Sequence, residues 1–403
     1  MPGIRRASTL IRLAALAAAA VLMAGACAAN QAAPDIPLGQ NGALATAVPD
    51  GPFDAGRGAS VVLDPSGDPE VSYILLQPKL KTGEIAPPPV IGQPSPPSVV
   101  LAALSQGRWS RTAVTGLPTV GSNDRGNATG IAAKNDLPGP VVSTALAIDP
   151  QGKHHVAWSA TDGLYYDTDA TGSFGSPQKV VKTTTLGASL ALAPDGTPWI
   201  SFYEGSDVKV AHFVGGKWQI QTVGPATVPT AAATTAVRAS STGAFVGFGS
   251  GDTTMVGVQT GGRAGWTAES VPGPGGFGVS MALESKGVPS VAYYDSSGVV
   301  HLATRSGKAT WSAQDVATTK AGPDARWGTG IAVDDHGVHA LTYLDMKTGE
   351  VFLATDKSGG FTSTPVPNSV GGATPAIAVS TDGTNLAVAF FDTVNANLVV
   401  ATP

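Results

Sequence analysis

The chain has one cysteine, Cys27, in 403 residues, so no disulfide can form within it. A fold without such staples rests on burial, and a chain of this length encloses enough interior to stand on that alone. Charge is sparse as well. Charged residues make up 13% of the chain, with 24 Lys and Arg against 29 Asp and Glu. Without a basic excess, neither nucleic acid nor an anionic lipid surface is expected as the main partner. After the N-terminal segment, no stretch reaches the eighteen or so consecutive apolar residues that a membrane-spanning helix needs. A P-loop, a dinucleotide fingerprint and a G-x-S-x-G elbow in a strand-to-helix setting are all missing. Their absence leaves no cofactor to expect.

What is present begins with an export pattern. Arg5, Arg6 and Arg12 precede the apolar run LAALAAAAVLM at 13 to 23, which has the length of a signal-peptide core rather than of a permanent span. Small residues Ala24, Gly25 and Ala26 lead directly into Cys27. This order resembles the lipobox of bacterial lipoproteins, with Ala24 where leucine is usual. The resemblance implies that Cys27 receives a diacylglyceryl group and becomes the mature N-terminus after residues 1–26 are removed. The expected address is the extracytoplasmic face of the cell membrane, held by lipid. Cleavage removes three arginines and no acids, leaving 21 basic against 29 acidic residues, a balance of −8. Residues 27–42 then read as lipidated cysteine and flexible tether.

From residue 43 the chain repeats. The glycines of successive short turns are Gly67, Gly152, Gly196, Gly243, Gly287, Gly337 and Gly383, at intervals of 85, 44, 47, 44, 50 and 46. Each unit has small-apolar alternation before the turn (LALAPDG, MALESKG, IAVDDHG) and a strand after it (PWISFYE, PSVAYYD). A third strand (VVHLATRSG, VFLATDKSG) and a fourth opened by an aromatic (KWQIQTV, TWSAQDV) complete it. Four short strands at a period of about 45 residues, rich in β-branched and aromatic positions, predict one propeller blade per unit. The interval of 85 holds one third strand (97 to 104) and one fourth strand (108 to 114), so it is read as a single blade with two insertions, at about 77–96 and 115–141. Seven blades follow. The last unit ends after its third strand, NLVVATP, and residues 43 to 48 are expected to supply the missing fourth. The predicted fold is all-β, a seven-bladed β-propeller of four-stranded blades closed by an N-terminal strand in the last blade, spanning 43–403.

The unit S-x-A-x-D-x-x-G-x-P-x-x-x-Y-Y-D, continuing to L-x-x-A and G-x-W, resembles the repeat of sialidase-like and lectin-type β-propellers over about residues 43 to 403. The resemblance implies a surface propeller that binds or scaffolds, and in some members acts on glycans. The sialidase Asp-box S-x-D-x-G-x-T-W is nowhere complete, and no arginine cluster for an anionic sugar can be assigned. No catalytic residue carries over.

Propeller topology places the second-to-third strand loops and the blade-to-blade links on one face, the usual binding face. Glu204, Asp295, Asp345 and Asp392 end second strands there. They either cap their own turns or ring a cation or polyhydroxyl ligand. The link AGPDARWGTG at 321 to 330 adds Asp324, Arg326 and Trp327 to that face, where an exposed Trp327 beside Arg326 would anchor a sugar or peptide, or plug the channel mouth. Five residues before the turn glycines stand Val62, Ala147, Ala191, Arg238, Ala282, Ala332 and Ala378. Arg238 thus interrupts a nearly all-alanine ring, and an arginine at such depth is paired, wet or meeting an anion. His154 and His339 hold equivalent positions about four blades apart, so they cannot share a metal, and a turn or edge role is expected for them; no metal site is predicted. Together these features predict a non-enzymatic binding or scaffold module for an envelope protein or glycan. The alternative is a glycan-active enzyme, a hydrolase or lyase, which needs paired carboxylates or an activated nucleophile in a cleft, and no motif here enforces either.

Overall fold

In a computed structural model the described residues are 44–50, 55–76, 98–116, 143–160, 162–229, 232–241, 243–260, 265–322, 324, 326–356 and 359–403. Export segment, Cys27 and tether lie outside them, as do insertion 77–96 and nearly all of 115–141. The described residues form 28 strands in seven four-stranded antiparallel sheets, with no helix among them. The molecule is a seven-bladed β-propeller. Blades I to VI span 55–116, 144–181, 186–225, 235–270, 277–318 and 330–365; blade VII joins 372–402 to the N-terminal strand.

Burial peaks one strand out from the axis and falls toward the outer edge. The second strand of blade I (Pro69–Leu75) is buried at every position, whereas the fourth strand of blade III (Lys217–Pro225) is buried at only two. Side chains interdigitate between blades rather than within one: Val71, Tyr73 and Val100 of blade I pack with Ala389, Leu398 and Val400 of blade VII. Seven innermost strands converge on the axis, which is why Ala, Gly and Ser recur there.

The first-to-second strand turns follow directly from Asp and Gly placement. Asp64 Oδ1 accepts the N–H of Ser66 and of Asp68, both at 2.8 Å, and Asp149 and Asp334 do the same in blades II and VI. Gly67 closes its turn with φ +87° and an N–H bond to the Asp64 carbonyl, a conformation that disfavours a Cβ.

Closure occurs as expected. The N-terminal strand β1 (Ala45–Asp50) pairs antiparallel with the C-terminal strand β28 (Asn397–Thr402), Ala45 opposite Thr402 and Asp50 opposite Leu398. The strand runs two residues further than the sequence indicates because Asp50 has partners. It is buried, accepting Tyr73 Oη at 2.6 Å and an Arg111 guanidinium N–H, both from blade I.

The inner ring alternates between two blade types. Blades I, III, V and VII carry a positive-φ residue at equivalent positions, Gly58, Gly187, Gly278 and Thr374. Blades II, IV and VI carry Thr144, Thr235 and Thr329 one position later, and each hydroxyl donates to the glycine carbonyl of the blade before it. Ser60 and Ser189, two residues after Gly58 and Gly187, accept the N–H of Leu146 and of Val237, both at 3.2 Å. Tyr203 and Tyr294 add a second tie at two of these joints, each exchanging bonds with both backbone groups of one residue in the next blade, Gly249 and Leu344. Blades therefore lock in pairs: I with II, III with IV, V with VI.

Candidate functional site

Both insertions leave from one rim. Across blade I, Ala55 pairs with Leu75, Leu75 with Ser98, and Ser98 with Gly116. The residues flanking the two insertions thus stand in one row, at the end of the sheet where blade-to-blade links enter.

Three of the four acids on this rim, Asp295, Asp345 and Asp392, cap their own turns, while Glu204 is held by side chains from the third strand and the preceding link. Asp295 Oδ1 accepts the N–H of Ser297 and of Val299, both at 2.9 Å, and the Ser297 hydroxyl at 2.7 Å. Its other oxygen lies 3.1 Å from His301 Nε2. Asp392 accepts from Val394 N–H at 2.8 Å and Asn395 Nδ2 at 2.7 Å, and Asp345 accepts Lys347 N–H at 2.8 Å. Glu204 takes Lys209 Nζ at 2.5 Å and the Thr183 hydroxyl, and the lysine holds its carboxyl below the ordinary value. These carboxylates stand on blades III, V, VI and VII, each with local donors. The turn-capping alternative is realised at Asp295, Asp345 and Asp392 and not at Glu204. Among the described residues no group of three or more His, Cys, Asp or Glu is placed to hold a metal ion.

The link at 321 to 330 departs from expectation. Trp327 is fully buried, stacked on Tyr294 at 4.8 Å with an interplanar angle of 1° and edge-on to Phe277. It is not an exposed anchor. The link crosses the wedge between blades V and VI, and an indole fills that wedge with the largest available apolar body. Asp324 and Arg326 pair with each other through two bonds of 3.0 Å, while Thr374 N–H binds the Arg326 carbonyl. This segment fastens blades V, VI and VII together.

Arg238 is where the sequence places it. It lies on the innermost strand of blade IV (Thr235–Ser240) and lines an axial cavity of about 460 Å³ together with Ser60 and Ser189. Its Nη1 donates to the Val237 carbonyl at 2.8 Å, and burial pushes its pKa down to about 10.

Sequence reasoning missed two clamps between blades. His154 lies 2.6 Å from Glu70 of blade I through Nε2 and 2.6 Å from Asp169 through Nδ1. His339 repeats the arrangement with Glu284 of blade V at 2.9 Å and Asp356 at 2.7 Å. The hydrogen bond to Glu70 raises His154 to about 9, and Glu284 and Asp356 raise His339 despite its burial. Their equivalent places were visible; the acids that meet them from the neighbouring blade, Glu70 and Glu284, lie more than fifty residues away and carried no local signal.

Neither a family model nor a curated protein matches the chain. Solved propellers do. A catalytically inactive virginiamycin B lyase from Staphylococcus aureus, bound to quinupristin, aligns at TM-score 0.53 and 13% identity, covering 89% of this chain and 99% of that one. The β-propeller domain of Cps50 (Swd1) from Myceliophteria thermophila aligns at 0.51 and 9% identity, covering 88% and 99%. A protein of unknown function from Dyadobacter fermentans aligns at 0.50 and 9%, covering 90% and 99%. At these identities the chain is similar to all of them in fold, and the fold they share is the propeller.

Proposed function

We propose that this chain is an exported, lipid-anchored propeller of the cell envelope that binds or scaffolds a protein or glycan without catalysing a reaction on it. The observation that carries the reading is the shared rim: both interruptions of blade I leave from one row of residues, Leu75, Ser98 and Gly116, beside the blade-to-blade links. Long insertions that spare packed blades are commonly where function resides. Most glycoside hydrolases use two carboxylates facing each other across about 5–10 Å of cleft. Glu204, Asp295, Asp345 and Asp392 are instead spread over four blades and engaged by local donors. The N-terminal order of arginines, apolar core, small residues and Cys27 supports the anchor.

The test compares three chains in the envelope: wild type, Cys27→Ser, and a variant with both insertions shortened to tight turns. Wild type is expected in the detergent phase and Cys27→Ser as unprocessed precursor or released protein. On a glycan array and in crosslinking to envelope proteins, the shortened variant is expected to lose the wild-type signal while keeping its melting temperature. Undiminished capture by the shortened variant would move the site off this rim, and release of sugar from an arrayed glycan would make the protein an enzyme.

A further inference from the structure

Arg238 is the only charged residue among the seven equivalent inner-strand positions; the others are Val62, Ala147, Ala191, Ala282, Ala332 and Ala378. A guanidinium has five N–H donors. Among the described residues Arg238 finds one acceptor, its own neighbour's carbonyl at Val237. No acidic side chain lines the cavity into which it faces. The local carboxylate partner that would make it a structural ion pair is therefore missing from the described residues around it.

The walls add donors of their own. Ser60 and Ser189 line the same cavity, and each oxygen already accepts a backbone N–H from the adjacent blade. A hydroxyl that accepts in this way keeps its proton for another acceptor. The cavity thus collects a guanidinium and two hydroxyl protons with no negative group to receive them. Its volume, about 460 Å³, is that of a small-molecule pocket.

We infer that the axial channel is an anion site in which Arg238 receives a small carboxylate, assisted by the hydroxyls of Ser60 and Ser189. The planar fork of arginine matches the two oxygens of a carboxylate through parallel N–H···O bonds, which a spherical anion cannot reproduce. Apolar walls, built from alanine and valine at the same level, weaken water's competition for that pair. The site lies two residues from the end of its strand, at Ser240, toward the face of the first-to-second strand turns. It is on the opposite side from the insertion-bearing rim, and it holds whether or not that rim captures a partner.

The test is calorimetric titration of the full-length chain with sodium acetate, inorganic phosphate and sodium chloride, at ionic strength held by a bulky sulfonate. It is paired with Arg238→Ala, which restores the alanine ring and so is expected to melt no lower than wild type in acetate-free buffer. Acetate is expected to bind wild type at least about tenfold more tightly than Arg238→Ala, as loss of a charge-assisted bond implies. Arg238→Lys is expected to fall between them, keeping the charge and losing the fork. Acetate binding equal in wild type and Arg238→Ala, or none in either, overturns the site. Phosphate or chloride binding as tightly as acetate overturns the carboxylate assignment.

Discussion

His154 illustrates how much one side chain can carry between blades. It stands between Glu70 of blade I and Asp169 of its own blade, and the hydrogen bond to Glu70 lifts its pKa from 6.5 to about 9. A raised folded-state pKa stabilises fully below pH 6.5 and loses that contribution as the pH rises through 9. His154→Gln is therefore expected to destabilise the protein by about 1–3 kcal/mol near pH 6. Melting curves of variant and wild type should converge by pH 9.5; a gap independent of pH would mean that the clamp is not ionic. Trp327 gives the opposite lesson about legibility. Flanked by Asp324, Arg326 and glycines, it sat in no alternating pattern that could tell a packed side from a wet one. Its burial is decided by Tyr294 and Phe277, more than thirty residues upstream. The capping role of Asp295 and Asp392 was readable, because an acid two residues before a turn's N–H groups acts locally.

Among elements, β1 does the most for its length. It supplies the outer strand of blade VII and brings Asp50 into contact with Tyr73 and Arg111 of blade I. Deleting residues 28 to 40 is expected to leave the melting temperature unchanged, whereas deletion through Asp50 should lower it by about 5 °C or more. Equal melting of the two truncations would show that the ring closes without this strand. That closing strand was legible because the last unit lacked its fourth strand and LATAVPDGPFDAGRG at 44 to 58 parallels TAESVPGPGGFG at 267 to 278, where blade IV ends. Its final two residues were not, since they are held by Asp50 reaching a neighbouring blade rather than by alternation. Blade number and strand order were likewise readable, from the turn glycines together with the strand patterns between them.

For the whole molecule, pairing of blades is the feature that strand periodicity conceals. Thr144, Thr235 and Thr329 each satisfy a glycine carbonyl across a different joint. Thr→Val at any one should cost about 1–2 kcal/mol by removing that hydroxyl donor, with Thr329 at the low end because its own N–H still binds the Gly278 carbonyl at 3.0 Å. Since the three joints share no partner, the triple variant should lose their sum to within about 0.5 kcal/mol in urea titrations. A much smaller loss would reveal joints that relax together. The signal existed in the sequence as Gly58-x-Ser60, Gly187-x-Ser189 and Gly278-x-Ser280, but only a three-dimensional ring shows that each faces a threonine next door. An alternation of two kinds cannot close evenly on seven, so like meets like where blade VII joins blade I. There the threonine tie is replaced by Asp50 and by Arg57 lying 4.6 Å over the Phe391 ring. This odd joint is also where the chain's N-terminal segment enters. Tension applied through residues before Ala45 along the strand acts on β1 in shear, so its bonds to β28 must yield together and Asp50 resists last. A mechanical load entering through the N-terminal end would thus meet β1 and the joint of blades VII and I before any other part of the ring.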